Sequence, residues 1–256
     1  MPGLLAITDD FFAPEESEVT QIHLSEHQFQ SPTLGNSRQV RFQEPQGAAP
    51  SCVCIFLDAE YYVELLGAPE ITHELQASGE IPSLLAAYVS HVDHEVRWPE
   101  SFCNRDFDRC VVDELIPWIM GSFDLSPTIE VVIVGVSLTG LSAAHAALAS
   151  EDRISRALCQ SASFWWEQGW FRKNLASHPP SQVRFRLSVG VEETKEWVDH
   201  GNGLIQKESQ LESNRETRDA LRARGHHVSY HEFSGGHDLD SFRADLPGSL
   251  VALFEM

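Results

Sequence analysis

Three side chains in this sequence could together break an acyl bond. Ser137 sits in Gly135-Val136-Ser137-Leu138-Thr139-Gly140, where a β-branched apolar run gives way to an alanine-rich stretch. His237 lies in Ser234-Gly235-Gly236-His237-Asp238, and Glu193 closes Gly190-Val191-Glu192-Glu193. A serine hydroxyl is a poor nucleophile until an imidazole takes its proton. The imidazole in turn needs a carboxylate to fix its tautomer and to stabilise its charged form. Glu192 and Asp199 compete with Glu193 for that last role, since all three fall in one acidic loop. Each residue also has a plain structural reading: serine is a good N-cap for a following helix, His237 suits a turn, and a loop acid is ordinarily solvated.

The elements must bring these positions together. Cys52–Leu57 and Leu84–Val89 are continuous apolar runs, as expected of strands buried on both faces. Gln21–Leu24 and Gln39–Phe42 read as short β-runs around the turn-rich SPTLGN. Glu130–Val134, Ala157–Gln160, Val183–Val189 and Val228–Phe233 read as further strands. Helical spacing falls over Ile71–Ser78, Asp106–Met120, Leu138–Ala149, Ile205–Arg224 (stopped by Gly225) and Phe242–Phe254.

Strands alternating with helices predict an α/β architecture: a mostly parallel, doubly wound sheet with helices on both faces. With no repeat, low-complexity tract or linker in the pattern, residues 20–256 read as a single domain after a mixed, acidic lead-in at 1–19. Functional groups in such a sheet gather beyond the carboxyl ends of strands. Ser137, the Glu192–Glu193 pair and His237 each follow a predicted strand. A sharp turn at Ser137 would lift its hydroxyl off the sheet, with Gly135 leaving room where strand and helix pass. The Leu138 N–H, at the helix start, would face a developing oxyanion. Thr139 is the irregularity, because a second glycine is usual at that place and Gly140 comes only afterwards.

Other segments bear on the same reading. SPTLGNSRQV is followed in order by Phe56-Leu57-Asp58-Ala59-Glu60-Tyr61-Tyr62 and by Arg97-Trp98-Pro99-Glu100 with Asn104, Phe107 and Glu114-Leu115-Ile116-Pro117. Gln160-Ser161-Ala162-Ser163-Phe164-Trp165-Trp166 and Gly235-Gly236-His237-Asp238 come later. Together, from about Ser31 to the end, they resemble the enterobactin-esterase-like esterases of the esterase-D group, within the α/β-hydrolase superfamily. The Ser…acid…His order is the one α/β-hydrolases use.

The resemblance implies an α/β-hydrolase fold and ester hydrolysis through an acyl-enzyme on Ser137, with His237 as general base and no metal or organic cofactor. It makes Glu193 the nearest match to the acidic position and gives the second oxyanion N–H to Ala59, where glycine is usual. Trp165 and Trp166 are candidates to line an acyl or aromatic pocket, or else simply to pack. Arg97 is a candidate substrate cation, or else a structural partner of Glu100 or another local acid. The resemblance does not include the separate N-terminal domain of the full-length enzymes, and an anionic ferric catecholate favours a basic pocket. The substrate therefore stays open, with a siderophore ester among the possibilities. Two further readings stand beside hydrolysis: an acyltransferase using the same serine and histidine, and a non-catalytic binding protein with a degenerate elbow.

Composition narrows the partners. With 18 basic and 38 acidic residues among 256, the formal charge is −20, which repels nucleic acid and anionic membranes. The expected partner is a small-molecule ester, with no nucleic acid and no membrane; the oligomeric state is left open. MPGLLAITDDFFAPEE does not read as a signal peptide, and no segment approaches the roughly 18 apolar residues of a membrane helix. Five cysteines, with Cys52 and Cys54 on one side of a strand, suit reduced thiols in the cytoplasm. His91-Val92-Asp93-His94 lacks the spacing of a zinc helix and reads as a loop, so no metal is expected.

Overall fold

The computed structural model describes residues 22–178, 181–201 and 203–256. The expected lead-in at 1–19 lies outside them, as does Gln21. The strands of the main sheet are β1 (Ser25–Ser31), β2 (Asn36–Gln43), β3 (Cys52–Leu57), β4 (Leu84–Val89), β5 (Glu130–Val136), β6 (Arg156–Gln160), β7 (Arg184–Gly190) and β10 (Val228–Phe233). They are ordered β1-β2-β4-β3-β5-β6-β7-β10. Only β2 runs against its neighbours; every other adjacent pair not involving it is parallel. This is the expected α/β-hydrolase arrangement, with its antiparallel pairing confined to one edge.

Period-two alternation divides the core. Along β3, Val53, Ile55 and Leu57 face one hydrophobic cluster, while Cys52, Cys54 and Phe56 face the other. That double burial is why the strand sequence is apolar without a break. The first cluster is covered by helices that include α5 (Leu138–Ala149) and α7 (Gln210–Ala223), through Leu141 and Leu221. The second lies under α1 (Ala68–Ser78) and α8 (Leu239–Phe254), through Leu75 and Leu246. All five cysteines are buried and unpaired; burial pushes the Cys52 thiol up to about 12.

Four segments differ from the sequence expectation. The early strand is Ser25–Ser31 rather than Gln21–Leu24, in register with β2. His94–Ser101 forms a helix, α2, because Asp93 caps it by accepting the Val96 N–H at 2.7 Å. Asp106–Met120 is not one regular helix: α3 (Arg105–Arg109) passes through a π-helical stretch at Cys110–Leu115 into α4 (Ile116–Ser122). There the Ile116 N–H reaches the Val111 carbonyl, five residues back, just ahead of Pro117, which has no N–H to donate.

The long polar helix starts at Gln210, where the Ser209 hydroxyl accepts the Glu212 N–H at 3.1 Å. Ile205–Gln206 instead forms a short strand, β9, antiparallel to β8 (Val198–Asp199). This hairpin stands over the carboxyl edge of the sheet.

Candidate active site

Ser137 occupies the single residue between β5 and α5, at φ 53° and ψ −116°. Non-glycine residues avoid this region, so the surrounding bonds must hold it. The Ser137 N–H donates to the Gln160 carbonyl at 2.8 Å, and the Ser137 carbonyl accepts from the Ser163 N–H at 2.9 Å. Both backbone groups are thus tied to the end of β6. A Cβ at Gly135 would run into the Thr139 carbonyl, and one at Gly140 would stand 2.9 Å from the Cβ of Ala162. Thr139 is buried, with its hydroxyl 2.9 Å from the Val136 carbonyl oxygen and 3.2 Å from the Val136 nitrogen.

The structure brings Ser137, His237 and Glu193 into one chain of hydrogen bonds. His237 Nε2 lies 2.9 Å from Ser137 Oγ, and His237 Nδ1 lies 2.6 Å from Glu193 Oε2. With Nδ1–H donating to the carboxylate, Nε2 is left to accept the serine proton. The Glu193 side chain is 1 % exposed. Its second oxygen accepts from Ser161 Oγ at 2.6 Å and from the Gly190 N–H at 2.7 Å. A buried carboxylate thus has the donors it needs. Glu192 faces the cleft but makes no such contact, and Asp199 accepts the Gly201 N–H at 2.8 Å.

His237 is aimed by its neighbours. Its ring stands perpendicular to that of Phe242, with centres 5.0 Å apart, and Asp238 caps α8 by accepting the Ser241 N–H at 2.9 Å. The Ser241 backbone and hydroxyl bonds hold the Asp238 carboxyl below its usual value. Sequence reasoning missed Ser161, which supports Glu193 from a positive φ of 42°. Its place in Gln160-Ser161-Ala162-Ser163, directly after β6, was the available signal.

A cleft of about 430 Å³ opens over Ser137. Trp165 lines it and stacks on His200 of the hairpin at 4.8 Å, with ring planes 5° apart. Trp166 is corrected: it does not line the cleft, but stacks on Phe102 at 5.0 Å. Arg97 is corrected as well. It is buried away from the cleft, with Nε 2.9 Å from Asp58 Oδ1 and Nη2 also on the Asp58 carboxylate. Of the local acids its partner is Asp58, while Glu100 pairs with Arg38 at 3.0 Å.

Leu138 begins α5, where N–H groups lack helical partners. Ala59 is fully buried just beyond β3. The β3–β5 pairing runs to Phe56–Val134, so Ala59 and Leu138 each follow one of two adjacent strands. Candidate oxyanion donors therefore stand on two adjacent strand ends.

His91 is not a free loop histidine: its Nδ1 lies 2.9 Å from Glu60 and 3.3 Å from Asp58. Among the described residues, Asp58, Glu60 and His91 are the group whose donor atoms, within 4.8 Å of one another, have the spacing for a metal ion. The Arg97 guanidinium already neutralises Asp58 there, which disfavours a cation. Burial raises the Asp58 carboxyl, yet the adjacent His91 ring and the bonds from Arg97 win and hold it below its ordinary value.

Comparison with known proteins agrees with this architecture. The esterase family model, described as "Putative esterase", matches residues 31–253. The iron(III) enterobactin esterase of Dickeya dadantii is 30% identical over 207 residues, covering 76% of this chain and 46% of that protein. That of Escherichia coli K12 is 25% identical over 216 residues, covering 79% and 50%. The chain spans about half the length of these curated relatives.

Among solved structures, the Shigella flexneri enterobactin esterase crystallised in the presence of enterobactin superposes with a TM-score of 0.79 at 23% identity. That match covers 92% of this chain and 60% of the other. An IroE-like serine hydrolase from Shewanella oneidensis superposes at 0.73 and 16%, covering 91% and 80%. Among the described residues no helix is long and apolar enough to cross a membrane. With its family model matched over nearly the whole sequence and its sheet in α/β-hydrolase order, this chain belongs to the esterase family and is similar, within it, to the enterobactin esterases.

Proposed function

We propose that the protein is a serine carboxylester hydrolase working through an acyl-enzyme on Ser137. The observation that carries this reading is the unbroken chain from Ser137 Oγ through the His237 ring to the buried Glu193 carboxylate. His237 Nε2 takes the hydroxyl proton as Oγ attacks the ester carbonyl, and the same nitrogen returns it to the leaving alcohol. Glu193 holds the Nδ1–H tautomer and stabilises the imidazolium between these events. The N–H groups of Leu138 and Ala59 receive the carbonyl oxygen as it becomes anionic. Water then attacks the acyl carbon as His237 Nε2 removes its proton, and Nε2 returns that proton to Ser137 Oγ as the acyl–Oγ bond breaks and the acid leaves.

The Trp165 face and the His200 ring beside Ser137 favour an ester with a flat or apolar acyl portion. The enterobactin esterases supply a candidate at one extreme, a catecholate ester. Short p-nitrophenyl esters supply the other. A panel spanning the two locates the acyl preference. Labelling with a fluorophosphonate probe tests the nucleophile itself. The wild-type protein is expected to take one label that is lost in Ser137→Ala; an unlabelled wild type, or a labelled Ser137→Ala, overturns the assignment.

A further inference from the structure

Thr139 stands where this kind of turn usually has glycine, and its hydroxyl has taken on a task that glycine cannot perform. The Ser137 N–H donates toward β6, to the Gln160 carbonyl. In an extended strand successive residues direct their backbone groups to opposite sides. Val136, one residue earlier, therefore directs its N–H and C=O toward β3. The β3–β5 pairing ends at Phe56–Val134, short of Val136. Val136 is fully buried, so water does not substitute. Thr139 Oγ1 serves both groups, donating to the Val136 carbonyl at 2.9 Å and accepting the Val136 N–H at 3.2 Å.

We infer that Thr139 is a positioning residue for the esterase reaction, and this inference rests on the proposed role of Ser137. Its side chain closes a ring from residue 136 to residue 139. That ring spans the backbone of Ser137, at its unfavourable φ of 53°, and of Leu138. A shift of this turn moves the nucleophile and one oxyanion donor together. Displacements of about 1 Å in such groups can cost about a hundredfold in rate. The strain at Ser137 is thereby opposed by a local side-chain clamp in addition to the bonds from β6.

The test compares Thr139→Val, which keeps the shape and loses the hydroxyl, with Thr139→Ser, which keeps the hydroxyl. Steady-state hydrolysis of a p-nitrophenyl ester and the rate of fluorophosphonate labelling are read well below each thermal midpoint. Thr139→Val is expected to lose about 10- to 100-fold in kcat and in labelling rate, with KM within about twofold. Thr139→Ser is expected to stay within about threefold of wild type, as rescue of the clamp.

Equal rates for wild type and Thr139→Val overturn the inference, as does a folded Thr139→Ser that falls as far as Thr139→Val. If Thr139→Val does not fold, Thr139→Ala is read by the same criteria. A wild-type protein that takes no label fails at the earlier step, and so separates the proposed function from this one.

Discussion

Two histidine–carboxylate groupings stand at the carboxyl edge of the same sheet and differ in what completes them. At the ends of β7 and β10, His237 Nδ1 lies 2.6 Å from Glu193, and its other nitrogen faces a serine hydroxyl over an open cleft. At the ends of β3 and β4, His91 Nδ1 lies 2.9 Å from Glu60 and 3.3 Å from Asp58, where the carboxylate is already held by Arg97. Among the described residues, no serine or cysteine side chain hydrogen-bonds to the His91 ring. A histidine beside a carboxylate is thus only part of a reactive unit. A strained turn presenting a hydroxyl, and space for a substrate, are needed as well. The second grouping has the character of a brace: Arg97 fixes Asp58, the residue before the candidate oxyanion donor Ala59, and lies 5.4 Å from the Tyr61 ring centre.

The largest expected effects would break this comparison if they failed. In the reactive grouping, Ser137→Ala is expected to lower kcat by about 10⁴-fold or more, with the fold intact by circular dichroism. Glu193→Gln is expected to cost about 10²- to 10⁴-fold, since the neutral amide no longer fixes the His237 tautomer or stabilises its charged form. Both are read as kcat on a p-nitrophenyl ester.

In the bracing grouping the balance should reverse. Arg97→Met leaves a buried Asp58 without its cation, so unfolding in urea should show a loss of about 3 kcal/mol. Its fall in kcat, through the Ala59 turn, should be smaller than that of Glu193→Gln. If Arg97→Met instead lost as much kcat as Glu193→Gln with no loss of stability, the brace reading would be wrong.

The smallest expected effect extends the comparison to a third histidine. His178 packs edge-on against His145, which itself pairs with Asp108 at 2.8 Å. Burial first, and then the neighbouring charges of His145, Arg105 and Arg224, lower the His178 pKa to about 4. In that range the unfolded chain binds a proton that the folded chain refuses. Stability should therefore fall as pH drops from about 6.5 toward 4. With the half-exposed ring screened by solvent, the loss should be about 1 kcal/mol, and His178→Gln should flatten that part of the stability–pH curve.

Much of the sheet was legible because its strands carry local signals. Cys52–Leu57 and Leu84–Val89 are apolar throughout, as double burial requires, and the structure reproduces both ranges. Helix starts and breaks were less legible where one side chain or one missing N–H decides them. Ser209 and Pro117 each shifted an element that apolar spacing alone placed differently, and Asp93 started a helix where a loop was expected. Within the candidate site, Ser137 and His237 were marked by small neighbours at strand ends. Glu193 could not be separated from Glu192 and Asp199 by residue type, and for Arg97 and Trp166 residue type left a cleft role and a structural role both open, of which the structure has the structural one.

What the sequence determined by itself was the alternation of buried strands and helices, and hence the edge at which Ser137, the loop acids and His237 would gather. Side-chain periodicity is a local property of the chain, so it is written there. The tertiary structure alone decided which carboxylate meets His237, that Arg97 serves Asp58, and that Thr139 satisfies the two backbone groups of Val136. Those outcomes depend on where segments distant in sequence come to lie within hydrogen-bond distance, and residue type does not encode a distance of that kind.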